Sequence, residues 1–154
     1  MVLDTGGLYR STDRATSFRL VSQKVGPAIR ALAVGSAGLL AGDVTSGVYL
    51  SRNGRSWHHT AGGMVMALAV NSRNTAQILA ASFGVSRSSD GGLRWKAVLR
   101  SNAMFGAVAW APTRPLLAYA VGDDGTLWQS TNGGLHWIKL TGARACPRSA
   151  PCVG

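Results

Sequence analysis

The chain spells one short phrase several times. Ser88 to Trp95 reads SSDGGLRW and Ser130 to Trp137 reads STNGGLHW; weaker copies stand at Ser51 to Trp57 (SRNGRSW) and Ser11 to Phe18 (STDRATSF). The opening serines, Ser11, Ser51, Ser88 and Ser130, are 40, 37 and 42 residues apart. The flanks recur too. Before each octet a turn leads into a short apolar run (DTGGLYR, DVTSGVYL, SFGVSR, DDGTLWQ), and after it the chain resumes with RLVS, HHTA, KAVLR or IKL.

In the complete units two further apolar runs come first: RALAV then GLLAG, MALAV then QILAAS, AVAWAP then LLAYAVG. Runs this short, separated by turn residues, read as strands. Four strands in about 40 residues is the period of a propeller blade. Composition agrees: 154 residues, 46% hydrophobic and 14% charged with 20 glycines, suit a single all-β domain rich in tight turns. The predicted fold is a partial β-propeller of about three and a half to four blades. Residues 1–25 form an incomplete first blade; 26–62, 63–102 and 103–142 form blades two to four; 143–154 form a tail with Cys and Pro.

The pattern Ser-x-Asp-Gly-Gly-x-x-Trp resembles the Asp-box, or bacterial neuraminidase repeat. That repeat occurs in sialidases, sortilin-type receptors, xyloglucanases and propeller-type photosystem II assembly factors. The stretch Ala107 to Leu140 is similar to a whole blade of that group. The resemblance implies that each octet is the hairpin between the third and fourth strands. It carries no activity with it, because the superfamily holds enzymes and binders alike.

The residues suit such a hairpin. Asp and Asn side chains accept hydrogen bonds from nearby backbone N–H groups, and glycine tolerates positive φ. Asp13, Asn53, Asp90 and Asn132 are therefore expected to hold turns, with Gly91, Gly92, Gly133 and Gly134 in them. Phe18, Trp57, Trp95 and Trp137 are expected to fill the core between sheets. The first octet lacks both glycines and the second is one residue short, so looser or differently shaped turns are expected there.

Function on such a fold belongs to loops. Alternating strand direction puts the turns between second and third strands at one end with the links between blades, opposite the octets. That rim gathers Asp43, Asp123, Asp124, Arg30, His58, His59 and Arg100. Two readings are open. Asp43 and Asp123 could act as a carboxylate pair, with His58 and His59 as a base or metal ligands; or Asp4, Asp43 and Asp123 are equivalent turn formers and the histidines end a strand. No His or Cys stands at a metal-ligand spacing from the pair, and nothing in the sequence calls for a metal or cofactor.

The charge narrows the partner. Thirteen Arg and three Lys face six Asp and no Glu, a net charge of +10. The field favours an acidic protein surface or an anionic glycan. The arginines form no run and no nucleic-acid-binding motif accompanies them, which argues against nucleic acid. Without glutamate, the tyrosine and glutamate apparatus implied by a sialidase resemblance cannot be present. The expected function is a non-enzymatic binding or scaffold module, with a sialidase- or xyloglucanase-like glycoside hydrolase, or a fragment of one, as the alternative.

Three arrangements are compatible with an incomplete first blade: the end of a longer propeller with blades upstream, a half-ring that pairs with a copy of itself, or a four-bladed monomer. No apolar run is long enough to cross a membrane as a helix, and the first residues lack the layout of an export signal. Cys146 and Cys152 flank a small Pro-containing loop. A disulfide there points to an extracytoplasmic space, as the family does; two free thiols are the other reading.

Overall fold

The structure, a computed structural model, describes residues 7–23, 25–26 and 28–140. Asp4, Cys146 and Cys152 lie outside them. The described chain is all strand and turn: β1 (Leu8–Arg10), β2 (Arg19–Ser22), β3 (Ile29–Gly35), β4 (Gly38–Asp43), β5 (Gly47–Ser51), β6 (His58–Ala61), β7 (Ala67–Val70), β8 (Ile78–Ser82), β9 (Gly84–Ser88), β10 (Lys96–Arg100), β11 (Phe105–Trp110), β12 (Ala118–Gly122), β13 (Leu127–Ser130) and β14 (Ile138–Leu140). They pair antiparallel in chain order into four sheets: β1–β2, β3 to β6, β7 to β10 and β11 to β14.

Each sheet has two apolar faces, and the chain buries them by stacking sheet on sheet. Leu40, Val48 and Leu50 of the second sheet meet Ile78 and Ala80 of the third. Leu79, Ala81 and Val85 on the other face of the third meet Phe105, Trp110, Ala118 and Ala120 of the fourth. Leu40, Ile78, Leu79 and Phe105 are fully buried, each worth about 1.5–3 kcal/mol against exposure. Polar groups reinforce the joint between the last two sheets. The Trp110 indole donates to Ala69 O (3.2 Å), and buried Asn71 donates to Pro115 O (2.9 Å).

All four octets join the third and fourth strands of their sheets, or the two described strands of the first. In the third sheet Ser88 Oγ accepts the Gly92 N–H (2.9 Å), and Asp90 Oδ1 accepts the N–H groups of Leu93 and Arg94 (3.1 and 2.9 Å). Ser130 and Asn132 repeat this with Gly134 and His136, both 2.9 Å. The glycines at these turns take positive φ, 79° and 96° at Gly91 and Gly92. The first octet departs from expectation, because it makes the same turn without glycine. Arg14 and Ala15 sit at φ 56° and 69°, held by Ser11 Oγ accepting from Ala15 N–H and Asp13 Oδ1 from Ser17 N–H. The second octet drops one left-handed residue and keeps Gly54 at φ 73°, with Ser51 and Asn53 as acceptors.

The terminal tryptophans carry a polar bond that composition does not reveal. The indoles of Trp57, Trp95 and Trp137 donate to Gly54 O, Gly92 O and Gly134 O at 3.3, 3.0 and 3.2 Å. Trp95 packs on the core of the second and third sheets, and Trp137 on that of the third and fourth. The other two aromatics differ from expectation. Trp57 lines a cavity of about 770 Å³ with Leu8, Leu32, Val34 and Leu39. Phe18 remains 40% exposed, because no sheet precedes β1–β2 among the described residues.

Candidate functional site: the loop rim

The two ends of the stack are built differently. At the octet end, Gly91 N–H donates to Ala76 O and Gly133 N–H to Leu116 O, so the octets of the third and fourth sheets clasp the β7–β8 and β11–β12 turns. At the opposite end, the β4–β5 and β12–β13 turns receive the links between sheets: Val44 N–H bonds Ala28 O, Val65 N–H bonds Asp43 O, and Asp123 N–H bonds Met104 O. This second end is the rim on which the candidate residues were expected.

Asp43 closes β4 and is fully buried. Its Oδ2 accepts the Ala28 N–H (2.9 Å); Oδ1 accepts the Thr45 N–H and hydroxyl (2.7 and 2.6 Å) and the Ser46 N–H (2.9 Å). Gly26, at φ 95°, lets the carboxylate pack against the link, since a Cβ there would stand 2.7 Å from Oδ2. Burial pushes the carboxyl up, but these donors, Thr45 foremost, outweigh it and hold the pKa at about 2. Asp43 is thus a turn former that ties the link before β3 to the β4–β5 turn. It presents no carboxylate to solvent.

Asp43 and Asp123 are not equivalent positions. Asp43 stands opposite Ile29 at the start of β3, whereas Phe105 at the start of β11 stands opposite Gly122. The β12–β13 turn has the same length, but Gly122 stands where Asp43 does and Asp123 where Val44 does, its N–H bonding Met104 O as that of Val44 bonds Ala28 O, and Asp124 does the capping. Its Oδ1 accepts the Thr126 N–H and hydroxyl (3.0 and 2.6 Å), as Asp43 does from Thr45. These bonds lower the Asp124 pKa, the Thr126 hydroxyl contributing most. Asp123 is exposed beside it.

The two histidines lie within β6 and point apart, as neighbours in a strand do. His59 pairs with Tyr49, its ring edge-on at 5.2 Å, and its Nε2 lies 2.7 Å from Ser46 O; the Tyr49 hydroxyl donates to Ser46 Oγ (3.0 Å). His58 pairs with Leu50, nearer the octet end. Among the described residues no three His, Cys or Asp stand together as metal ligands. Arg30 in β3 and Arg100 at the end of β10 are exposed. The rim therefore brings Asp123, Asp124, Arg30, Arg100 and His59 to one end of the stack, withdraws Asp43 into the fold and separates His58 from His59.

Sequence reading missed the Ser46–Tyr49–His59 contact, which depends on cross-strand register. It also missed Arg87, whose Nε donates across the sheet joint to Gly133 O (2.8 Å) and whose pKa is lowered by burial.

No family profile and no curated protein sequence matches the chain. Solved structures do. YCF48 bound to D1 peptide aligns with a TM-score of 0.64 at 18% identity, over 96% of this chain and 50% of that one. The GH74 enzyme from Niastella koreensis aligns with a TM-score of 0.71 at 22% identity, over 86% of this chain and 21% of that one. The GH74 xyloglucanase from Xanthomonas campestris gives 0.69 at 20%, over 89% and 27%. Identities this low speak for architecture alone. The chain has the β-propeller fold, as an arc of sheets spanning half or less of each of these proteins.

Proposed function

We propose that this chain is a binding module without chemistry of its own, which takes an acidic partner on its rim. The partner is a protein surface or an anionic glycan, and Arg30 and Arg100 are its first contacts. The observation that carries this reading is the unspent positive charge. With 16 Lys and Arg in the chain, the one ion pair among the described residues is Arg94 with Asp90 (2.9 Å), at the octet end. The rim arginines face solvent with no carboxylate paired to them among the described residues, which is the arrangement that steers an acidic partner.

The placement of the acids also supports it. Asp13, Asp43, Asp90 and Asp124 hold turns through backbone N–H groups. A glycosidase of the common type needs two carboxyls about 5–9.5 Å apart across a sugar bond. Among the described residues Asp123 alone has no such turn to hold.

A second reading, a module derived from a polysaccharide-cleaving enzyme, is favoured by the likeness to GH74 proteins. One experiment separates the two. Binding of the chain to polyglutamate and to heparin oligosaccharides is measured at rising salt, beside a panel of fluorogenic glycosides. The binding reading expects saturable, salt-sensitive affinity that falls at least tenfold with Arg30→Glu and Arg100→Glu together. Glycoside turnover that disappears in Asp123→Asn overturns it.

A further inference from the structure

Within the chain, each joint between complete sheets has the same two halves. One half is the trailing face of a sheet; the other is the leading face of the next sheet, with the aromatic that ends its octet. Trp95 completes the joint with the second sheet, and Trp137 the joint with the third. Two halves are left without a counterpart among the described residues. One is the trailing face of the fourth sheet, and the other is Phe18 with the β1–β2 hairpin.

The ladders show that these are the same surfaces and not merely apolar ones. Leu127 stands opposite Val121, as Val85 stands opposite Ala81 and Val48 opposite Gly42. Val48 and Val85 are 1% and 2% exposed beneath the following sheet; Leu127, in the corresponding place, is 38% exposed. Val121, Ile138 and Leu140 share its face and are exposed with it. Phe18 ends its octet where Trp95 and Trp137 end theirs. Leu20, the pairing partner of Tyr9, is exposed beside it.

We propose that a second copy of this chain covers these surfaces, the β1–β2 hairpin and Phe18 of one copy packing on the β12–β14 face of the other. The contact continues, between molecules, the joint that the chain already makes twice within itself. It is head to tail, and two such contacts related by a twofold axis close a two-copy ring without leaving either surface open. This inference is independent of what the rim binds.

The test is solution mass by light scattering after size exclusion. The expected result is a species of twice the 16.0 kDa chain, which Phe18→Asp and Leu127→Asp each convert to monomer. The octet turn is held by Ser11 and Asp13, so the first variant keeps its fold, and far-UV circular dichroism checks both. Mixing the two variants is the sharper test. The Phe18→Asp chain retains its β12–β14 face and the Leu127→Asp chain retains its Phe18, so the mixture is expected to form a pair through one intact contact. A wild-type monomer at high concentration, a dimer indifferent to both variants, or a mixture that stays monomeric overturns the proposal. Hydrogen exchange of the wild type at two concentrations needs no variant. Protection of β2 and of β13–β14 that falls together when dilution dissociates the dimer supports the contact, and dissociation that leaves both unchanged overturns it.

Discussion

Asp124 occupies the space in which a side chain at Gly122 would begin: a Cβ on Gly122 would stand 2.5 Å from Asp124 Oδ1 and 2.8 Å from the Thr126 hydroxyl. Gly122 stands where Asp43 does in the second sheet, so the glycine belongs with a capping carboxylate placed two residues later in a turn of the same length. Gly122→Ala is expected to destabilise the chain by about 1 kcal/mol by expelling Asp124 from its turn. In an Asp124→Ala background the same substitution is expected to cost much less. Urea unfolding of the four proteins gives the coupling; equal costs in both backgrounds contradict it.

Asp43 satisfies backbone donors on two segments from a fully buried position. Asp43→Ala leaves these N–H groups without acceptor and is expected to cost about 3 kcal/mol, with Asp43→Asn costing less because one oxygen remains. The readout is the urea midpoint at unchanged slope.

The same carboxyl makes stability depend on acid. Its folded pKa, about 2, lies below the ordinary 3.8, so the folded state holds its proton less tightly than the unfolded chain. The stabilisation is complete above pH 3.8 and is lost as the pH falls through 2, amounting to about 2 kcal/mol. Asp13 and Asp90 are also lowered to about 2. Hydrogen bonds from Ser17 are the main cause at Asp13; at Asp90 burial raises the pKa, and hydrogen bonds and Arg94 outweigh it. Melting temperature is expected to fall steadily between pH 4 and pH 2, and less steeply in Asp43→Asn. Parallel curves for the two proteins count against this role.

The octets give opposite expectations for glycine. Ala15 holds a left-handed φ of 69° without being a glycine, so Ala15→Gly is expected to be neutral or to stabilise by up to about 1 kcal/mol. Gly92 also has a positive φ, 96°, and a Cβ there would meet the Leu40 side chain in the core. Gly92→Ala is expected to cost at least about 2 kcal/mol. Thermal melts of the two variants should move in different directions or by clearly different amounts.

Much of this architecture was legible in the letters. Ser88, Asp90, Gly92 and Trp95 name their turn because its bonds run between residues two to four apart, and a local bond leaves a local signature. The glycine-free octet at Ser11 keeps the turn that its letters do not announce. The serine and aspartate acceptors suffice to hold Arg14 and Ala15 in a conformation that their side chains disfavour. The rim was read less well. Asp43 and Asp123 look alike in sequence, yet a one-residue difference in their place within turns of equal length buries one and exposes the other.

The sequence by itself determined the all-β class, the four octet turns and the repeat that orders the strands, because each rests on hydrogen bonds and hydrophobic alternation within a few residues. Only the tertiary structure decided which surfaces the stacking consumes and which it leaves. Whether Asp43 is buried in its turn, whether His58 and His59 point the same way, and whether Phe18 is covered or exposed all depend on register and on the neighbouring sheet. Those relations are set by residues tens of positions away, so no short stretch of the chain could record them.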